Sequence, residues 1–342
     1  MRHINIPIFI PHLGCPNQCI FCNQRLISGS YDFIESDVDK QILEVIKTIS
    51  PKDECEIAFF GGSFTGIDRA LMIRLLDKAQ SYVDSGRVSS IRMSTRPDYI
   101  DKEIIKILKK YTISCVELGI QSMNDDILKL LKRGHSVKDT LNATRLLNKA
   151  KIKFIGQMMI GLPGASLEDE THCAKEICRM GAVGSRIYPT IVFKNTELEK
   201  MTKNNEYIPL NLDDAIDRSA TALKIFVENN VKCIRIGLCD SENLHSESSY
   251  VAGPNNASIG EMVKSKLFYT FISEKIQKSH IKGKGLIIEC AKGLVSQVVG
   301  NKKRNIIELK DKFGIDFIKV IENDRLFSYE IEIREMEENS CV

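Results

Sequence analysis

At 342 residues, 43% hydrophobic and 27% charged, the chain has the composition of an ordinary globular protein, long enough for one large α/β domain or a large domain plus a small one. No apolar run of about eighteen residues is present, which excludes a transmembrane helix, and eleven cysteines spread over this length exclude a short disulfide scaffold. The net charge is only +3, yet residues 264–312 carry twelve Lys/Arg against four Asp/Glu, so positive charge gathers in the C-terminal third.

Residues 1–8 lack the long apolar core and small-residue cleavage site of a signal peptide, so they read as the start of a cytoplasmic protein, leading into its first strand. Strand-like apolar runs stand at 4–10, 55–60, 90–94, 114–120, 154–160, 185–192 and 232–237. Between them Val38, Ile42, Val45, Ile46 and Ile49 recur at helical spacing, as do Leu71, Leu75, Leu76, Ala79 and Val83, and then Ile104, Ile107 and Leu108. Strands apolar throughout, alternating with amphipathic helices, predict an α/β fold: a partial (β/α)6-type barrel of parallel strands covered by helices. Chemistry in such a barrel sits at the C-terminal ends of the strands. Those ends hold a cysteine loop, then Gly61-Gly62-Ser63-Phe64, Ser94-Thr95-Arg96-Pro97, Gly119-Ile120-Gln121-Ser122 and Gly161-Leu162-Pro163-Gly164.

The cysteine loop carries Cys15, Cys19 and Cys22 in the spacing C-x3-C-x2-C, with Phe21 directly before the last. Three thiolates on one loop can hold three irons of a [4Fe–4S] cluster and leave the fourth open for chemistry. The same soft donors also suit zinc, and His12 could complete a Cys3His site. Cys55, Cys115, Cys233 and Cys290 lie in apolar runs and read as small buried hydrophobes, while Cys173 and Cys178 do not share a helix face.

The alternation breaks over 240–257. Ser258-Ile259-Gly260-Glu261 is a capping-box pattern opening a helix through about residue 276. The expected divisions are 1–240 for the barrel, 241–281 for a connecting loop and helix, and 282–342 for a small α/β C-terminal domain. The tail reads strand, helix, Gly-led loop, helix, strand.

These residues resemble the radical S-adenosylmethionine (SAM) superfamily, whose motif C-x3-C-x-aromatic-C is matched by Cys15, Cys19, Phe21 and Cys22. The resemblance spans roughly residues 5–238. Within the superfamily it is nearest to the catalytic subunit of Elongator and its bacterial relatives, and next to oxygen-independent coproporphyrinogen oxidase. It is carried further by Phe59-Phe60-Gly61-Gly62-Ser63-Phe64, Ser94-Thr95-Arg96-Pro97-Asp98, Glu117-Leu118-Gly119-Ile120-Gln121-Ser122, Arg133-Gly134-His135, Gly161-Leu162-Pro163-Gly164 and Arg186-Ile187-Tyr188-Pro189.

The resemblance implies two cofactors, a [4Fe–4S] cluster and SAM, and reductive cleavage of SAM to a 5′-deoxyadenosyl radical that abstracts hydrogen from substrate. It implies that Gly61, Gly62 and Ser63 meet the SAM amino group, although Ser63 replaces the family's acidic residue. Ser94 stands at a ribose or methionine contact position. Gln121 and Arg133 stand at positions holding the nucleoside and the methionine carboxylate, and Gln157 where some relatives carry an acidic ribose ligand. His135 and Tyr188 read as structural.

The tail resembles a KH module, in which a G-x-x-G loop between helices clamps nucleic-acid backbone. Gly300 fits the first glycine and Lys303 replaces the second, while Lys302, Lys303 and Arg304 would present charge to phosphate. Three functions are therefore expected to compete: a radical SAM enzyme on RNA, with a tRNA base as target; a radical SAM enzyme on a small metabolite; and a non-catalytic zinc-bearing RNA-binding protein. Expected partners are RNA and an electron donor such as a flavodoxin or ferredoxin, with no membrane. Elongator's acetyltransferase domain has no counterpart here, so acetyl-CoA chemistry within this chain is not expected.

Overall fold

The computed structural model describes residues 3–10, 13, 15, 19–23, 33–50, 52–238, 249–279 and 285–336. Among them one curled sheet of seven strands runs in chain order: β1 (His3–Phe9), β2 (Glu54–Phe60), β3 (Ser90–Thr95), β4 (Ile113–Gln121), β5 (Lys153–Ile160), β6 (Gly184–Pro189) and β8 (Lys232–Ile236). Every neighbouring pair is parallel. Two-residue β7 (Val192–Phe193) leaves the sheet and pairs antiparallel with β9 (Tyr250–Ala252). The single strand expected over 185–192 is thus two. β6 ends at Pro189, which has no N–H for a further ladder bond, and Thr190 turns back to donate through both N and Oγ1 to the Ile160 carbonyl.

Parallel strands need crossovers, and helices supply them: α1 (Val38–Ile46), α2 (Arg69–Asp84), α3 (Lys102–Leu108), α4 (Asp125–Leu130), α5 (Val137–Ala150), α6 (Leu167–Arg179), α7 (Glu197–Lys203) and α8 (Leu212–Glu228). Side chains start them where the sequence changes period. Asp68 caps the Leu71 N–H and Asp101 the Ile104 N–H, while Ser136 with Asp139 and Ser166 with Asp169 form reciprocal capping boxes. The core lies between sheet and helices. Ile6, Ile8, Ile57, Phe59, Ile91, Met93, Val116, Leu118, Phe154 and Met158 pack from the strands against Met72, Leu75, Leu108, Leu147, Ile177 and Leu223. Because strand residues alternate faces, the intervening positions line the concave side.

The expected helix after Ser258 is α9 (Ile259–Ser279). Its first half joins the barrel core through Ile259, Val263 and Leu267, and its second half joins another core through Phe268, Ile272 and Ile276. That second core underlies three strands, β10 (Gly285–Cys290), β11 (Phe317–Glu322) and β12 (Ile331–Glu335), with β10 central, parallel to β11 and antiparallel to β12. Between β10 and β11 come α10 (Val295–Val299), a short turn at 301–303 and α11 (Arg304–Phe313).

Candidate functional site

The site begins where β1 and β2 end. Gly61 has φ +96°, in the region that favours glycine, and Phe64 stacks on Phe59 with ring centroids 4.3 Å apart, fixing the turn. A Cβ on Gly62 would lie 2.8 Å from the Leu13 carbonyl oxygen and 3.0 Å from that of Ile10. The start of the cysteine loop therefore lies directly on the glycine turn. Here Cys15 Sγ stands 3.5 Å from Ser63 Oγ, and Ser94 donates to the Gly62 carbonyl at 3.5 Å.

The other side is built at the end of β4. A β-bulge shifts the register between Gly119 and Gln121, and Gln121 takes φ +66°, a strained conformation for a residue with a side chain. The bulge leaves Gln121 Oε1 buried with no partner among the described residues. Arg133, held in a turn after α4, donates from Nη2 to the Gly119 carbonyl at 3.0 Å and from Nη1 to Cys19 Sγ at 3.4 Å. Its Nε is likewise buried and unpartnered among the described residues. Burial, with the charges of Arg133 and Arg96, pushes His135 down to about 3. It is therefore neutral at pH 7, and its Nε2–H donates to the Ile120 carbonyl at 3.3 Å, which is a structural role.

The loop between Cys19 and Cys22 is held from two sides. The Ile20 N–H donates to the Leu131 carbonyl at 3.2 Å, and the Leu198 N–H donates to the Ile20 carbonyl at 2.8 Å. Ile20 and Phe21 pack with Leu131, Leu162, Leu198 and Tyr207. Leu162 in turn belongs to the turn after β5, which is locked by buried Glu170. Its carboxylate accepts from the Gly161 N–H at 2.6 Å and from both Nε and Nη2 of Arg218 at 2.8 and 2.7 Å.

One feature of the concave face escaped sequence reasoning. Glu56, Arg92, Glu117 and Arg186 form an ion-paired ladder across β2, β3, β4 and β6, and His3 on β1 hydrogen-bonds to Glu56 at 2.7 Å. Gln157 donates to Glu117 at 3.1 Å, which ties its amide nitrogen to this ladder. The signal was present as Glu56, Arg92, Glu117 and Arg186, single charges set among the apolar residues of their strands.

The basic loop lies elsewhere. Gly300, Lys302 and Lys303 have φ of +78°, +51° and +61°, and both lysines are exposed. Arg304 is engaged, pairing with Glu308 and with Asp213 in the first turn of α8 at 2.7 and 2.9 Å. Since α8 starts at the end of the barrel where the strands finish, the loop stands at the same end as the cysteines.

These residues fit a cluster with SAM. Cys15 Sγ lies at a glycine turn that a Cβ would fill, Cys19 Sγ lies at Arg133, and buried unpartnered atoms of Gln121 and Arg133 stand on the same side, with Cys22 on the same loop. Among the described residues no three Cys, His, Asp or Glu side chains converge as ligands of one metal ion would. A four-iron cube spreads its thiolates over separate corners. His12, the fourth zinc ligand expected from sequence, lies outside the described residues.

A sequence profile described as the Radical SAM superfamily matches residues 9–175, and one described as the Radical_SAM C-terminal domain matches residues 183–268. An uncharacterised protein of Methanocaldococcus jannaschii is 33% identical over 60% of this chain and 66% of its own length. A tRNA uridine(34) acetyltransferase of Methanocaldococcus infernus is 32% identical over 59% of this chain and 46% of its own length. Human Elongator complex protein 3 is 26% identical over 59% of this chain and 41% of its own length. The chain thus spans only about half the length of such relatives. The solved structure of the archaeal Elp3 of M. infernus, with an N-terminal deletion, superposes with a TM-score of 0.62 at 26% identity, covering 80% of this chain and 63% of that one. Two profiles of one superfamily thus run in succession over the cysteine loop, the glycine turn, Arg133 and the last barrel strand, and the chain belongs to the radical SAM superfamily, whose cofactors are a [4Fe–4S] cluster and SAM.

Proposed function

We propose that this enzyme reductively cleaves SAM at a [4Fe–4S] cluster to modify RNA, with a tRNA base as the target. Cys15, Cys19 and Cys22 would each hold one iron. The Gly61–Gly62 edge would receive the SAM amino group, Arg133 the carboxylate as a fork suited to bidentate binding, and Ser94 and Gln121 the nucleoside. When bound, the two cofactors supply a carbon radical able to take hydrogen from a substrate; the chain's own part is to orient them and exclude water. The apolar packing of Ile20 and Phe21 against Leu162 and Tyr207 closes the loop on one side.

The observation that carries the RNA reading is the placement of exposed Lys302 and Lys303. Arg304 fastens their loop to Asp213, at the end of the barrel where the cysteines lie. A polyanion held there would present its bases to the site, and phosphate contact from lysines is the expected mode. The loop keeps left-handed backbone at Lys303, where the KH pattern has glycine, which supports a KH-like clamp. The M. infernus relative, named as acting on tRNA uridine 34, agrees with this reading. The function of the tail, 282–342, would then be to deliver RNA to the barrel. A flavodoxin or ferredoxin would supply the electron.

The test is 5′-deoxyadenosine formation by anaerobically reconstituted protein with SAM and dithionite, with and without total tRNA. Stimulation by tRNA is expected. Stimulation by an RNA-free metabolite extract and none by tRNA would move the reading to a small-molecule substrate.

A further inference from the structure

Two buried guanidiniums stand at the end of the barrel that carries the cysteines, and one of them reaches a cysteine sulfur. Arg133 reaches Cys19 Sγ at 3.4 Å. Arg96, at the end of β3, is only 2% exposed. It forms a fork with Asp98, Nε to Oδ1 at 2.9 Å and Nη2 to Oδ2 at 2.6 Å, and lies over the Tyr99 ring at 5.3 Å. Those contacts use Nε, Nη2 and the π face. Nη1 remains buried with no partner among the described residues, which is costly for a charged donor unless something accepts from it. Burial opposes the Arg96 charge, but Asp98, Tyr99 and Cys19 more than restore it. Cys19 is the most buried of the three, at 7% exposed, while Cys15 and Cys22 are half-buried.

We propose that Arg133 and Arg96 form a two-guanidinium cradle that gives hydrogen bonds and positive charge to the cluster at its Cys19 corner and so raises its reduction potential. The proposal rests on the reading of Cys19 as a cluster ligand. Cluster potentials respond to net charge, hydrogen bonds to sulfur and burial, and outer partners of a ligand tune its metal. Reduction adds one negative charge to the cluster, and cations beside a buried sulfur favour that state. Arg133 would thereby serve as a positioning residue for Cys19 as well as a contact for SAM, and the two roles separate when SAM is left out.

The experiment is a redox titration of the anaerobically reconstituted full chain, without SAM, followed by the electron paramagnetic resonance signal of the reduced cluster. Arg133→Gln and Arg96→Gln should each lower the ratio of reduced to oxidised cluster at fixed potential about tenfold, which for a one-electron couple is about 59 mV. Arg133→Lys, which keeps the charge and loses the fork, should fall between Arg133→Gln and the parent protein. It also covers the case in which Arg96→Gln fails to fold for want of the Asp98 pair. Iron-replete variants that titrate at the parent potential would overturn the cradle. A shift in iron-replete protein supports it even if tRNA proves not to be the substrate. Protein that binds only zinc would overturn the cradle and the cluster reading together.

Discussion

Arg133 and Gly119 are interlocked: the Gly119 carbonyl accepts from Arg133 Nη2 at 3.0 Å, and a Cβ on Gly119 would sit 2.5 Å from that same nitrogen and 3.0 Å from Gln121 Nε2. The absence of a side chain at 119 is therefore what lets both polar residues reach the end of the barrel.

Gly119→Ala should displace two flexible side-chain ends rather than backbone. Overpacking of this kind costs about 1–3 kcal/mol, and rotation of the Arg133 tip relieves part of it. We expect a loss of stability near the low end of that range together with a fall in SAM affinity of at least about tenfold, which is about 1.4 kcal/mol. Chemical denaturation and SAM binding, measured on the same preparation, separate the two effects. Unchanged SAM affinity would remove Arg133 and Gln121 from the SAM site.

The pair Glu170–Arg218 should matter for stability more than an exposed pair would. Glu170 is 3% exposed, Arg218 one of its two kinds of partner, and the other is the Gly161 N–H. Removing one member of a buried pair costs about 3–5 kcal/mol. Arg218→Ala is expected at the low end, about 3 kcal/mol, because the Arg218 side chain is 20% exposed. A loss below half of that in urea denaturation would show that the turn after β5 does not depend on this lock.

The ladder on the concave face predicts a pH dependence. Burial raises the Glu56 carboxyl, but hydrogen bonds from Ser114 and Ser90, the Arg92 charge and a hydrogen bond from His3 outweigh it and bring it to about 2, from 4.5. The unfolded chain takes up this proton first, so the stabilisation is complete above about pH 4.5 and is lost as pH falls toward about 2. The shift corresponds to roughly 3 kcal/mol. Glu56→Gln should be less stable at pH 6 and should lose less than the parent protein between pH 4.5 and pH 3. Parallel stability curves over that interval would contradict the assignment.

The basic loop separates two kinds of cation. Lys302 and Lys303 are exposed, whereas Arg304 is paired with Asp213 and Glu308. Lys302→Ala with Lys303→Ala should weaken tRNA binding and lower the slope of log K against log salt by about two contacts' worth. SAM cleavage without RNA should stay as it was. Arg304→Ala should change affinity by loosening the loop, with a smaller change in slope. Equal slopes for parent and double variant would move RNA binding away from this loop.

Much of the barrel was legible because its strands are contiguous apolar runs and its chemistry-bearing residues follow them. Cys15, Gly62 and Ser94 meet, and Cys19 meets Arg133, as the barrel-end rule required. The bulge at Gly119–Gln121 was not legible, since Leu118-Gly119-Ile120-Gln121 reads as plain alternation and only pairing with β5 shows the shifted register. The ladder was hidden for a related reason: Glu56, Arg92, Glu117 and Arg186 are single charges whose partners lie on neighbouring strands, far off in sequence. Gln157 illustrates the consequence: its hydrogen bond to Glu117 joins strands far apart in sequence. Helix α9 is poorly amphipathic because its two halves serve different cores.

The most direct test of the account is metal and product analysis of anaerobically purified protein. It predicts about four irons per chain, no stoichiometric zinc, and 5′-deoxyadenosine on addition of SAM and dithionite, with both iron and product lost when Cys15, Cys19 and Cys22 are changed to Ala. Stoichiometric zinc with no 5′-deoxyadenosine from the parent protein would contradict it.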